Sequence, residues 1–377
     1  MQLTEEIVEL TKELVKIPSY ENEVEIARFV YKKMQQFGMS PEIIGDKYHP
    51  SIVCNIIKDA TYKTVWIEST LDTVPPGNIS NWKTDPLIAS VIGNKMYGLG
   101  IADSKIALAM YCILTRELSK GKSFKGNFFI GFDAQEQNGK FTGIRDVVKI
   151  APKADICILG YQGIDEIHIG ARGWLRFKIT TSGVVAHTGS RSKKGINSIH
   201  SMNKAMSKIL DNDLNTKTQP FFEFGSSMNI SQINGGTAIN IVPDKCEVYI
   251  DIRLIPGQNA KDIAKEFIDK LDAISREDSQ FKYELEVLQF EQAYLTNPSN
   301  NFVKLLQKNA SKILKKDITL HASGPGSVGN VINKLGVPII NSFGVDSDNV
   351  HSPNEWINLD SIEKVYKILK DTIEEFV

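Results

Sequence analysis

Histidine is scarce in this chain, with six residues among 377. Any metal centre that relies on imidazole must be assembled from few candidates. Cysteine is scarcer still: Cys54, Cys112, Cys157 and Cys246 lie far apart, with no CxxC or CxxH spacing. That excludes a zinc knot, a redox dithiol and a disulfide framework, and leaves four reduced, buried thiols as the expectation. No apolar run approaches the ~20 residues needed to cross a bilayer; the longest runs only from Ile106 to Leu114. Excess charge is also missing, since 44 Lys+Arg offset 45 Asp+Glu. Neither a nucleic acid nor a membrane is therefore expected as a partner. The opening residues lack the basic flank and apolar core of a secretion signal, so a cytoplasmic protein is expected.

What remains is 42% hydrophobic and 24% charged, the proportions of an ordinary globular protein. A chain of this length exceeds the roughly 250–300 residues at which one core stops growing, which predicts two domains. Ile7, Leu10, Leu14 and Val15 fall on one helical face, and Pro18 ends that segment. A second helix is expected over 21–37, then strands at 52–57, 64–70, 86–92 and 126–132, with a helix at 104–118 between the last two. Strands alternating with helices indicate an α/β domain. After Gly173 the order becomes strand (174–181), helix (195–211), strands (227–233 and 245–254), helix (259–274) and strand (282–289). This is the split βαββαβ plan of a ferredoxin-like module. Helix (300–314), strand (318–321), helix (327–335), strand (337–343) and a last helix (360–376) follow. The expected organisation is an α/β domain of residues 1–173 plus 292–377, interrupted by a module of residues 174–291.

Polar clusters fall where strands of the first domain are expected to end: Glu68 to Pro75, Tyr97 to Lys105, Phe132 to Gln137 and His351 to Glu355. Ligand sites in open α/β sheets lie at the carboxyl ends of strands, so these clusters are candidates to converge. By spacing alone, Asp103, Glu136 and His351 read as loop acids and a surface histidine.

The wording and order of the motifs add to this. LDTVP at 71–75, YGLGIADSK at 97–105, QE at 135–136, GARG at 170–173, AHTGS at 186–190, NGGTAINIVPDKCEVYIDIR at 234–253 and HSPNE at 351–355 resemble the co-catalytic zinc aminoacylase and exopeptidase family over nearly the whole chain. That family includes acetylornithine deacetylase, succinyl-diaminopimelate desuccinylase, glutamate carboxypeptidase and peptidase T. The resemblance implies a zinc-exopeptidase-like three-layer α/β catalytic domain with an inserted ferredoxin-like lid that also dimerises. It implies metal positions at Asp103, as the bridge, and at Glu136 and His351. The other ion's own ligand positions fall at Thr70 and Tyr161, which are neutral near pH 7 and poor zinc ligands. The general-base position is Gln135, whose amide cannot take a proton from water. Asp72 matches the family's supporting acid in this motif. One tight divalent ion at most, or none, is therefore expected.

Three other groups are possible substitutes. Glu68 shares a strand face with Thr70, Asp133 precedes Gln135 by two residues, and His168 follows Tyr161 by seven; each reads first as structural. In the lid, the resemblance makes His187 an oxyanion donor supplied across a dimer, although by itself it reads as a turn histidine. Asn240 and Arg253 match substrate-contacting positions. Arg253 has as its alternative an ion pair with Asp251 or Glu247. Gly326 and Ser327 match a carboxylate-binding loop at a helix start, but Val328 replaces that loop's aspartate. The implied function is a divergent metallo-amidohydrolase that cleaves N-acyl amino acids or short peptides with a free carboxylate. Two alternatives remain. One is an inactive relative that binds amino-acid derivatives or serves as a pseudoenzyme subunit. The other is an internally paired Asp103, Glu136 and His351 with no metal.

Overall fold

A computed structural model describes residues 2–214 and 218–377. It divides into two compact units. The first comprises Met1–Gly170, Leu295–Ser323 and Ser327–Val377; the second comprises Ala171–Tyr294 and Gly324–Gly326.

The first unit is organised around a six-stranded sheet. Its strands run in the order Glu42–Gly45, Pro50–Ile56, Gly126–Asp133, Lys63–Thr70, Ile156–Leu159 and Ile339–Ile340. Gly126–Asp133 is buried along its whole length, as its continuous apolar run demands. It pairs antiparallel with Pro50–Ile56 and parallel with Lys63–Thr70. Successive side chains point to opposite faces. Val65, Ile67, Phe128, Ile130, Ile156 and Ile158 accordingly enter one large core with the helices Gln2–Val15, Val24–Gln36, Ile106–Lys120, Asn301–Leu314 and Leu359–Phe376. The alternate residues Trp66, Glu68 and Thr70 take the other face. The register aligns Glu68 with Gly131 and Thr70 with Asp133, so this second face carries buried acids where an apolar core would be expected.

The second unit is a four-stranded antiparallel sheet in the order Ser227–Gly235, Lys245–Leu254, Gly173–Ser182 and Lys282–Glu291. Counted along the chain this is 2-3-1-4, the ferredoxin-like arrangement. Lys245–Leu254 alternates strictly between buried and more accessible residues. Its inward Val248, Ile250 and Ile252 share a core with the helices Ser198–Leu210 and Ala260–Glu277. Asn197 and Asn259 cap these helices by accepting backbone N–H groups of their first turns.

Three expected elements differ. The strand expected at 86–92 begins only at Ser90 and joins Lys95–Tyr97 in a small separate sheet. The strand expected at 337–343 is reduced to Ile339–Ile340. The helix expected at 327–335 is a short turn, Gly329–Ile332, continued by the 3-10 turn Asn333–Leu335. Among the described residues, no helix is long and apolar enough to cross a membrane.

Candidate active site

Lys63–Thr70 and Gly126–Asp133 end side by side, and the loops leaving them bring Asp72, Gln135 and Glu136 together. Asp72 organises this region. Its carboxyl accepts the Thr70 hydroxyl at 2.6 Å and the backbone N–H groups of Glu136 and Gln137 at 3.0 and 2.8 Å. Burial nevertheless pushes Asp72 up to about 6, because these hydrogen bonds only partly offset lost hydration. Glu136 accepts the Tyr161 hydroxyl at 3.0 Å. Lost hydration, then the charges of Asp103 and Asp72, hold Glu136 well above the usual carboxylate range. Gln135 is committed elsewhere: its side-chain oxygen accepts the Thr142 hydroxyl at 2.5 Å, and its backbone N–H reaches Glu23 at 3.3 Å. Glu23 in turn holds His49 at 2.7 Å.

Asp103 lies in the tight turn Ile101–Lys105 that opens the helix Ile106–Lys120. His351 Nε2 contacts its Oδ2 at 3.1 Å, and the Ser104 hydroxyl donates to its Oδ1 at 2.8 Å. The hydrogen bond to Asp103 raises the His351 pKa. Glu355 secures the turn, its two carboxylate oxygens accepting the backbone N–H groups of Gly100, Ala102 and Asp103 at 2.8, 2.8 and 3.1 Å. Sequence reasoning quoted Glu355 within a motif but gave it no task. The signal was an acid four residues beyond the candidate histidine. Burial pushes Glu355 up to about 7 despite its three donors. Glu355→Ala would leave those buried N–H groups without acceptors. A loss of about 3 kcal/mol in urea unfolding is expected, and an unchanged midpoint would show that water or another side chain replaces it.

The structure therefore brings Asp103 and His351 into contact and Glu136 into their electrostatic neighbourhood. Among the described residues, no three His, Cys, Asp or Glu side chains are grouped as around a metal ion. The donor chemistry fits one ion on Asp103, Glu136 and His351, since each bears a competent ligand atom. It does not fit a second. At the positions that would serve it, the Thr70 hydroxyl donates to Asp72 and the Tyr161 hydroxyl to Glu136. A bound ion would supply a Lewis acid to polarise an acyl oxygen.

Of the possible substitutes, Glu68 and Asp133 lie fully buried behind Thr70. Glu68 Oε2 accepts Trp66 Nε1–H at 2.6 Å. Glu68 Oε1 and both Asp133 oxygens have no hydrogen-bond partner among the described residues. Lost hydration pushes Glu68 up to about 8 and lifts Asp133 well above the carboxylate range. His168 is drawn to Glu166 instead.

The second unit holds His187, Asn240, Arg253 and Gly326. His187 pairs through its backbone with Ile241. Its Nδ1 faces the Gly189 N–H at 3.0 Å, and its Nε2 lies 3.4 Å from the Asn240 amide. Arg253 makes the intramodule pair, its Nε 2.7 Å from Asp251. Gly326 lies so close to Trp174 that a Cβ there would fall 2.3 Å from the ring. Ser327, back in the first unit, uses its N–H on Asn330 and its hydroxyl on Asn341, and its Oγ accepts the Gly329 N–H. The loop donors at Ser327 and Gly329 are thus engaged internally, and the helix they were expected to begin is a single turn.

Likeness to known proteins agrees with this architecture. A family model described as a peptidase dimerisation domain matches residues 169–279. An uncharacterised metallohydrolase of Methanocaldococcus jannaschii is 27% identical over 98% of this chain and 100% of its own length. Succinyl-diaminopimelate desuccinylase of Pelagibacter ubique is 25% identical over 98% of each. The crystal structure of aminopeptidase PepT from Bacillus cereus shares the fold, with a TM-score of 0.79 at 23% identity over 99% of this chain and 98% of that one. In its dimerisation segment, its relatives over the whole chain and its fold, the chain is similar to the zinc aminoacylase and exopeptidase family.

Proposed function

We propose that this protein is a divergent amidohydrolase that takes N-acyl amino acids or short peptides bearing a free carboxylate and works with at most one divalent ion. The carrying observation is the contact of Asp103 with His351 at 3.1 Å, on a turn secured by Glu355. Two donors of a single-ion site are thereby kept together while the other ion's positions are closed by hydrogen bonds. Glu136 is the third donor, and Asp72 orients it through its backbone N–H. His187 and Asn240 would present hydrogen-bond donors to a polarised acyl oxygen. Arg253 would grip the substrate carboxylate with its guanidinium, in competition with Asp251. A homodimer formed through the inserted unit, in the cytoplasm, belongs to the same reading.

A second reading, binding without turnover, is favoured by Gln135, whose amide has no basicity and is tied to Thr142. One experiment separates the two. The zinc-loaded full-length protein is titrated calorimetrically with N-acetyl and N-succinyl amino acids and dipeptides, and amine release is followed in parallel. Binding with slow release that is lost in His351→Ala supports the hydrolase. Binding without release supports the second reading. No binding to any free-carboxylate ligand overturns both.

A further inference from the structure

Four of the six histidines have no part in the site above, and two of them meet elsewhere in the first unit. His168 lies on the strand Glu166–Ala171, and His321 on its neighbour Thr319–Ser323 in a three-stranded sheet. Glu166 and His168 are two residues apart on one strand and so share a face. The Glu166 carboxylate bridges the two imidazoles: Oε1 lies 2.6 Å from His168 Nε2, and Oε2 lies 3.5 Å from His321 Nε2. The two rings stand edge to face with centroids 6.5 Å apart.

We propose that Glu166, His168 and His321 form a second metal site, distinct from the one at Asp103, that takes a zinc-class transition ion (Zn²⁺ or Ni²⁺). Two imidazoles and one carboxylate are the donor set such ions prefer over Mg²⁺ or Ca²⁺, with a remaining position for water. All three side chains are reachable, at 23, 44 and 25% exposure for His168, Glu166 and His321. With metal–nitrogen bonds near 2.0–2.1 Å, two imidazoles on a tetrahedral ion place their centroids about 5 Å apart. As they stand the three side chains are not grouped as around an ion; the rings need to close by about 1.5 Å through side-chain rotation. Closing releases the present contact of His321 Nε2 with Thr319 Oγ1 at 2.8 Å. The backbone beneath is firm: the His168 N–H donates to Ser342 O at 2.9 Å, and the His168 carbonyl accepts the Asn341 N–H at 2.7 Å. The side chains can rotate while their anchor stays in place.

The test is zinc titration of the EDTA-stripped full-length protein against a chromophoric competitor, with Co²⁺ absorption as a second readout. Each of His168→Ala and His321→Ala is expected to weaken one zinc equivalent at least 10-fold and to abolish its tetrahedral Co²⁺ band, whereas His351→Ala leaves that equivalent intact. Circular dichroism confirms that the variants fold, and Glu166→Gln, which keeps the shape of the side chain, provides an independent reading. Unchanged zinc stoichiometry and affinity in both histidine variants would overturn the proposal. So would zinc binding that disappears entirely in His351→Ala. Loss of one zinc equivalent in His351→Ala with the other retained bears on the Asp103 site alone, so the two readings fail separately.

Discussion

Thr70→His, Tyr161→Glu and Gln135→Glu, combined in a His168→Ala background, are expected to add one bound zinc per chain and to raise amide hydrolysis at least ~10²-fold. The His168→Ala change removes the proposed sheet site from the ion count. Each of the three substitutions reverses an observed closure. The Thr70 hydroxyl now occupies Asp72 Oδ1 at 2.6 Å, and an imidazole there would instead be oriented by that carboxylate. The Tyr161 hydroxyl now occupies Glu136 at 3.0 Å, and a glutamate would release it. Gln135→Glu restores a group able to take a proton. The variant also crowds two new carboxylates against Asp72, Asp103 and Glu136, so its metal-free form is expected to melt below the parent and to recover with zinc. Plasma emission for zinc, amine release for turnover and a thermal melt with and without zinc check the three parts. No gain in zinc and none in turnover would mean that these positions do not face one another as a metal site requires.

At high pH the largest effect is expected from Glu68→Gln. Burial raises Glu68 to about 8 from its ordinary 4.5. Between those two values the folded chain holds a proton that the unfolded chain has released. The unfolded state then binds fewer protons, and stability falls as pH rises. The stability associated with neutral Glu68 is full below about 4.5 and is lost as pH passes through about 8. Glutamine imitates the neutral form and keeps an oxygen for Trp66 Nε1–H. The variant should therefore unfold close to the parent at pH 5 and exceed it by on the order of 3 kcal/mol at pH 9. Urea unfolding at the two values measures this. Equal stabilities at pH 9 would mean that Glu68 ionises in the fold at no cost, with water or a counter-ion reaching it.

Local pattern explains how much of the fold the sequence disclosed. Lys245–Leu254 alternates inward and outward residues without interruption, and strand and expectation coincide there. Gly126–Asp133 is apolar throughout and buried throughout. The failures occur where the chain spends its polar groups on itself. Where a helix was expected over 327–335, Ser327 donates its N–H to Asn330 Oδ1 and accepts the Gly329 N–H, and only the short helix Gly329–Ile332 and a 3-10 turn follow. In the site, the resemblance placed Thr70 and Tyr161 at ligand positions and Gln135 at the general-base position, and residue type then indicated that none could take that part. That these residues close onto Asp72, Glu136 and Thr142 is a matter of three-dimensional approach. The Glu23–His49 pair, 26 residues apart, left no periodic or motif-like trace, and neither did the meeting of Glu166 with His321.

Gly131 faces Glu68 across the sheet register, and a Cβ at position 131 would stand 2.1 Å from Glu68 Oε2. Even an alanine there would collide with the carboxylate. The two positions are consequently coupled: any side chain at 131 requires the Glu68 carboxylate to move or to be shortened. The absent side chain at 131 is thus the space that the buried acid fills.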